Sequence, residues 1–465
     1  MSIKNTNYSR KEISEMLRNK HSVYFIGIGG VSMSCLAFMT QKLGYTVGGS
    51  DRVKSSTTER LKKSNIHVNY NHSPENIISY DVIVYTVAIS ENNEEYNEAQ
   101  RLGIPCISRA DFLGFLMLSY KNRIGVSGMH GKSTTSSMLS EVMLNADLDP
   151  TIVLGAELPS INGCYRNGGE DWFVFEACEY MDSFLSFNPT MEIILNIELD
   201  HTDYFDDLDD VKASFIKYLN LSGVETAILN CDDDNVLDVK KSFNKKTVTF
   251  GIKNPESDFS AKNIDYSDAF PSFDLHYKGI NQGRIKLSVP GEHNVLNALA
   301  TAAAAYESGI SFEKLRKGLL AFKGAKRRME YKGTLGGIRY YEDYAHHPTE
   351  IIATMKAAQN FTKGKIWCIF QSHTYSRTAE LFDGFIESLG MADRLISLDI
   401  YAARETDTRG VSGKLIADKI DNAVYVASFE EAANYARQNA QSGDIVIVMG
   451  AGDVFKVFNY LTLDK

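Results

Sequence analysis

Lys132, preceded by Gly128-Met129-His130-Gly131 and followed by Ser133, Thr134 and Thr135, carries the strongest chemical signal in the chain. Backbone amides in such a turn can cradle phosphates, the ammonium can reach β and γ phosphates, and a hydroxyl from Ser133 or Thr134 can complete a Mg2+ shell. The first glycine stands closer to Gly131 than in G-x-x-x-x-G-K-[ST], so the turn is a shortened phosphate loop. The plainer alternative is a lysine in a surface turn. Magnesium wants hard oxygen ligands, and a nucleotide site adds one or two carboxylates beside the phosphates. Glu176, closing the apolar run Phe173-Val174-Phe175, is the first candidate. Glu179 is the second, unless it is only a solvated acid at a helix start. His201 follows the next apolar run; its position, read as one sheet register from Glu176, favours a second-metal role over a core hydrogen bond.

A second glycine turn lies nearer the start. Val23-Tyr24-Phe25-Ile26 runs into Gly27-Ile28-Gly29-Gly30, and Asp51 follows a further strand-like run at the usual place for a ribose contact. This pattern alone leaves a nicotinamide-dependent oxidoreductase, a UDP-sugar binder and a purely structural turn open. Ser32 stands where a G-x-G-x-x-G would have its last glycine, which weakens the oxidoreductase reading.

These turns need strands to hold them. Short apolar runs such as Val82–Tyr85, Ile193–Leu195, Ile366–Phe370 and Ile445–Val448 alternate with helical patterns, which predicts parallel sheets wrapped by helices, with ligands beyond the strands' carboxyl ends. At about 100 to 200 residues per domain, 465 residues hold several cores. Two phosphate-loop-like turns in one sheet would be unusual, so breaks are expected near Asn122 and in the basic stretch Lys323–Arg328. The division predicted is a Rossmann-like domain over 1–122, a central phosphate-loop α/β domain over 123–325 with an antiparallel extension in 240–290, and a Rossmann-like domain over 326–465.

The net charge of -10 argues against nucleic acid or an anionic membrane as partner. No run is long and apolar enough for a span, and no export signal is legible, so a cytoplasmic protein is expected. The six cysteines, Cys35, Cys106, Cys164, Cys178, Cys231 and Cys368, read as reduced thiols that mostly fill cores.

The ordered set Gly128-x-x-Gly131-Lys132-Ser133-Thr134, Glu176-Ala177-x-Glu179, Asn196-Ile197-x-x-Asp200-His201, Gly291-x-His293-Asn294-x-x-Asn297 and Arg327-Arg328 resembles the Mur ligase family. Gly27-Ile28-Gly29-Gly30-x-x-Met33-Ser34 and Asp343-Tyr344-Ala345-His346-His347-Pro348-Thr349-Glu350 are similar to the members that join L-alanine to UDP-N-acetylmuramic acid. The resemblance implies ATP and Mg2+ as cofactors, UDP-N-acetylmuramic acid and L-alanine as substrates, and an acyl-phosphate intermediate. It puts Gly27, Gly29 and Gly30 at the UDP pyrophosphate with Asp51 nearby. It puts Gly128 to Thr135 at the ATP phosphates, and Ser133, Glu176 and His201 at magnesium. Asn294 would meet the adenine, Arg328 the phosphates and Asp343 the ATP ribose, while Tyr344, His346 and Arg377 would line the amino-acid site. His346 would orient the amine or take its proton, unless it or His347 only braces the loop before Pro348.

The sequence departs from the family pattern at Ala345 and Arg404, where glycine is usual, and at Thr374, where arginine is common. A ligase that recycles a tripeptide onto the same sugar is the nearest rival reading, and a noncatalytic nucleotide sensor a further one. Sibling ligases carry a carbamylated lysine; Lys217 is taken as an ordinary surface lysine. A monomer or weak homodimer with a hinge near 323–328 is expected.

Overall fold

The computed structural model describes residues 3–202, 204–267, 270–403 and 405–464, and Arg404 therefore lies outside the described residues. Among these residues the strands form three sheets. The first contains β1 (Ser22–Ile26), β2 (Thr46–Ser50), β3 (His67–Asn69), β4 (Val82–Tyr85) and β5 (Cys106–Ser108), in the all-parallel order β3-β2-β1-β4-β5. β1 and β4 are wholly buried along their apolar runs, as expected of strands covered on both faces. Strand order reverses between β1 and β4, and a crevice opens above such a switch point.

The second sheet has β6 (Asn122–Ser127), β7 (Thr151–Leu158), β8 (Gly163–Arg166), β9 (Trp172–Glu176), β10 (Met191–Ile194), β11 (Thr226–Asn230), β12 (Lys246–Gly251), β13 (Phe259–Asp265), β14 (Ser272–Tyr277) and β15 (Ile280–Lys286). Its order is β15-β14-β13-β12-β11-β10-β6-β9-β7-β8. β13, β14 and β15 pair antiparallel, the extension expected from their alternating residues. β6 sits between β9 and β10. Glu176 and the segment carrying His201 are thus two strands apart, with the phosphate loop between them; the single-register spacing expected is corrected, because sequence adjacency of β9 and β10 says nothing of which strand inserts between them.

The third sheet has β16 (Glu330–Leu335), β17 (Ile338–Asp343), β18 (Ile366–Phe370), β19 (Arg394–Ser397), β20 (Ala423–Tyr425) and β21 (Ile445–Met449), in the order β16-β17-β21-β18-β19-β20. All neighbours are parallel except β16 with β17.

One apolar cluster runs continuously from the first sheet into the second, joining Phe25 and Phe112 to Phe175, Phe184 and Phe215. The helix Arg109–Leu116 seats there with Gly114 against Ser186, where a Cβ would overlap the carbonyl. The third sheet keeps its own clusters. Its contacts with the central sheet include side-chain pairs such as Arg377–Asp200, Thr349–Glu198 and Lys326–Glu157. All six cysteines are free; Cys164 and Cys178 are only half-buried rather than core residues, and Cys35 faces Cys164 at 3.5 Å across the first and second sheets.

Candidate active site

Gly128 and Gly131 both adopt positive φ, +127° and +84°, which a side chain would strain. That lets the chain turn sharply from β6 into the helix Lys132–Asn145. Asn196, to which the sequence reading assigned no role, clamps the turn. It accepts from the His130 amide at 2.8 Å and donates to the His130 carbonyl at 3.0 Å. Its own carbonyl accepts from Met129 N at 3.2 Å.

Lys132 Nζ donates to the carbonyls of Gly128 at 2.6 Å and Met129 at 3.0 Å, and pairs with Glu179 at 3.0 Å. Glu179 is fully buried, so the solvated-acid alternative is corrected. Burial opposes the charge on Lys132, but Glu179, Cys178 and Glu176 outweigh it and hold its pKa above the ordinary lysine value. The lysine is therefore a fixed cation at the mouth of the loop.

Ser133 Oγ donates to Glu176 Oε2 at 2.7 Å, and the Gly155 amide donates to the same oxygen at 3.1 Å. A hydroxyl and a carboxylate thus converge at the loop as hard oxygen donors, the set that suits Mg2+. His201 does not join them. Its Nε2 lies 3.2 Å from Glu179 Oε1 and its ring packs against Tyr180 at 4.7 Å. The expected metal set is consequently divided into Ser133 with Glu176, and His201 with Glu179.

A cavity of about 280 Å3 opens beside the loop, lined by Gly131, Thr134, Asn294, Arg328 and Asp343 among others. Asn294 Nδ2 donates to the Pro290 carbonyl at 2.7 Å, and its Oδ1 accepts from Asn297 at 3.0 Å. Arg328 stacks over the Tyr344 ring, 5.1 Å to its centre, and lies 3.6 Å from Glu350. Asp343 ends β17 and accepts from the Ala345 amide and the Met329 amide, both at 2.7 Å. Burial nevertheless pushes its pKa up to about 6, against the pull of Arg328.

His293 lines the same cavity; burial, then Arg328, lower its pKa to about 4. The unfolded chain, at about 6.5, binds the proton more readily across that window. His293 thus contributes stability above pH about 6.5 that is lost as pH falls toward 4. His293→Gln should flatten the acid limb of thermal midpoint against pH; an unchanged limb would discount His293.

From the third sheet, His346 places Nδ1 3.0 Å from the Tyr344 carbonyl and 3.2 Å from Glu350. Burial is the main reason its pKa falls to about 4. The neutral ring then donates from Nδ1, leaving Nε2 as a lone pair. Arg377 donates to Asp200 Oδ1 at 3.1 Å and lies 3.4 Å from His373 Nδ1. Burial opposes ionisation of Asp200, but Arg377 and His201 overcome it and hold the carboxyl well below its ordinary range.

Glu350 was missed as a site residue. Burial opposes its charge, yet His346, His130 and Arg328 keep it ionised. Its spacing from His346, at i and i+4 across a helix start, was the signal available. Thr374 takes a positive φ of 68°, unusual for a β-branched residue, and begins the helix Tyr375–Glu380 that carries Arg377. Lys217 is exposed on the helix Leu208–Leu219.

At the first sheet's switch point, a separate crevice is lined by Gly27, Gly30, Asp51, His72 and Thr86. Gly27 has φ +84°, and the Gly29 amide donates to Asp51 Oδ2 at 3.0 Å, binding the glycine turn to the end of β2. A Cβ on Gly29 would stand 2.6 Å from Asp51 Oδ2 and displace that carboxylate.

Three family models match in sequence: "Mur ligase family, catalytic domain" over residues 22–121, "Mur ligase middle domain" over 126–305 and "Mur ligase, glutamate ligase domain" over 327–452. The UDP-N-acetylmuramate--L-alanine ligase of Caldanaerobacter subterraneus is 44% identical over 94% of this chain and 96% of its own. The chain belongs to the Mur ligase family. Among solved structures, this Mur ligase is similar to the UDP-N-acetylmuramate-alanine ligase of Thermotoga maritima, with TM-score 0.81, 27% identity and coverage of 94% and 98%. A murein peptide ligase from Psychrobacter arcticus shares the fold, with TM-score 0.71 at 23% identity over 94% and 97% of the two chains. Among the described residues of this Mur ligase, no helix is long and apolar enough to cross a membrane.

Proposed function

We infer that this Mur ligase joins L-alanine to the carboxylate of UDP-N-acetylmuramic acid, turning ATP into ADP and phosphate, as a step of peptidoglycan precursor synthesis. One observation carries the reading. Third-domain groups reach the loop and the central domain: Glu350, which lies 3.2 Å from His346, stands 3.4 Å from His130 of the loop, and Arg377 is tied to Asp200 of the central domain. These contacts support a site that activates a carboxylate beside one that receives an amine, and the name shared by the relatives supports L-alanine as the amine.

Joining a carboxylate to an amine in water is uphill, so the carboxylate first attacks the γ-phosphate to give an acyl phosphate. That step brings anions together. Lys132 and Arg328 offset the repulsion, and they act in a buried site where charge is poorly screened. An incoming phosphate competes with Glu179 for the Lys132 ammonium. Ser133 and Glu176 would hold Mg2+, with Glu179 and His201 as a neighbouring pair. The ion would polarise phosphoryl oxygens. Neutral His346 can orient the amine or take its proton through Nε2, and the deprotonated amine attacks the acyl phosphate to give a tetrahedral adduct from which phosphate leaves. The glycine turn at Gly27, Gly29 and Gly30 with Asp51 would take the UDP moiety, and Asn294 and Asp343 the adenosine.

Ser133→Ala and His201→Ala should each shift the magnesium titration of turnover to higher concentration, with the larger shift at Ser133, whose hydroxyl touches Glu176. Identical titrations would remove that residue from the ion's surroundings. The substrate assignment is tested by phosphate release with ATP, UDP-N-acetylmuramic acid and a panel of L-alanine, glycine, L-serine and the cell-wall tripeptide. Release with L-alanine well above the tripeptide is expected; release with the tripeptide alone would overturn it.

A further inference from the structure

His130, Glu198 and His347 arrive from three chain segments: the phosphate loop, the stretch after β10, and the residue before the helix Pro348–Phe361. Their nitrogen and carboxylate atoms lie within 4.8 Å of one another. The two imidazole rings are 4.8 Å apart at 37°, and their side chains are 13% and 6% exposed. His130 Nε2 and Glu198 Oε1 meet as a buried ion pair, so an ion bound between them would replace the proton they share, while His347 Nε2 is buried without a hydrogen-bond partner. The far nitrogen of His130, Nδ1, stands 3.4 Å from Glu350 Oε1. A carboxylate behind the far nitrogen is the support that fixes ring orientation in a metal-ligating histidine. On His347, Nδ1 lies 3.8 Å from Glu198 Oε1, and its lone pair has only a long 3.3 Å contact with the Thr349 amide to give up.

We propose that His130, Glu198 and His347 form a binding site for a divalent ion of the zinc class, distinct from the oxygen pair Ser133 and Glu176. Two imidazoles and one carboxylate suit Zn2+ or Co2+, whereas Mg2+ prefers an all-oxygen shell. Glu198 and Glu350 balance the ion's two charges. Three protein ligands leave a position open, and His130 and Glu198 also line the nucleotide cavity, so that position adjoins it. The central domain supplies two ligands and the third domain one. A bound ion therefore fastens the third domain to the phosphate loop and slows nucleotide exchange, making the protein sensitive to zinc-class metals while it still requires an oxygen-bound ion elsewhere.

The test uses the full chain, stripped with chelator and titrated with Co2+ under excess Mg2+. Expected is a visible absorption of four-coordinate Co2+ that saturates at one equivalent and is displaced by Zn2+. Glu198→Gln and His347→Gln should each weaken it about tenfold or more, whereas His201→Ala should retain it; far-ultraviolet circular dichroism checks that each variant is folded. Anomalous scattering from a Zn2+-soaked crystal gives an independent readout, with a peak between the two imidazoles expected. Absence of a saturable band in the parent protein, a band unchanged in both folded variants, loss confined to His201→Ala, or an anomalous peak elsewhere would overturn the proposal.

Discussion

Lys132→Ala should reduce ATP-dependent phosphate release on the order of a thousandfold, the scale seen when a preorganised group aimed at developing charge is removed. The reason is positional. Two loop carbonyls and Glu179 hold the ammonium between the strand end and the helix start, and neighbouring carboxylates keep it charged. Truncation also leaves the fully buried Glu179 with His201 as its remaining partner, at a cost of up to about 3 kcal/mol. The double variant Lys132→Ala with Glu179→Gln separates the two effects. It should recover much of the thermal midpoint lost in the single variant while remaining inactive. Near-normal turnover in either variant would refute the assignment of this turn to ATP.

Arg377→Ala should lower kcat/KM about a hundredfold, the scale of a misplaced reacting group, and should loosen the third domain. Arg377 and Asp200 are 13% and 7% exposed, and their pair crosses from the third domain to the central one. Asp200 is held well below the ordinary carboxyl range, so the pair is intact above the unfolded value near 3.9 and is lost only as pH falls through the lower, folded one. At neutral pH the variant leaves a buried charge without its partner, a loss on the order of 3 kcal/mol. We expect this loss to appear as domain opening rather than global unfolding. The first and second sheets share one apolar cluster, whereas the third has separate cores and reaches the central domain through paired side chains. The connecting stretch has Gly324, Arg327 and Met329 at positive φ, and we propose it as the hinge. Small-angle scattering with an ATP analogue and UDP-N-acetylmuramic acid should show a compact parent and a more extended variant. Equal radii would separate Arg377 from domain docking.

The three-domain α/β architecture was legible from apolar runs alternating with helical patterns, because buried parallel strands leave little choice of residue. The sharp strand-to-helix turn was legible too, since the spacing of Gly128, Gly131 and Lys132 reports a local backbone conformation. Glu176 and Ser133 followed from the same reasoning and meet in the fold. Sequence order misplaced His201, because β6 inserts between β9 and β10 and the histidine pairs with Glu179 instead. Glu179 reads in isolation as either a second metal ligand or a solvated acid and proves to be the buried counter-ion of Lys132. His130, Glu198, His347 and Glu350 are scattered over 221 positions of the chain, and nothing local announces their meeting. What the residues determined alone was what lies within one turn of chain, where geometry follows from the backbone. Which charges face each other was decided by strand order and domain docking, because electrostatic partners are chosen by distance in space and burial, neither of which a linear order contains.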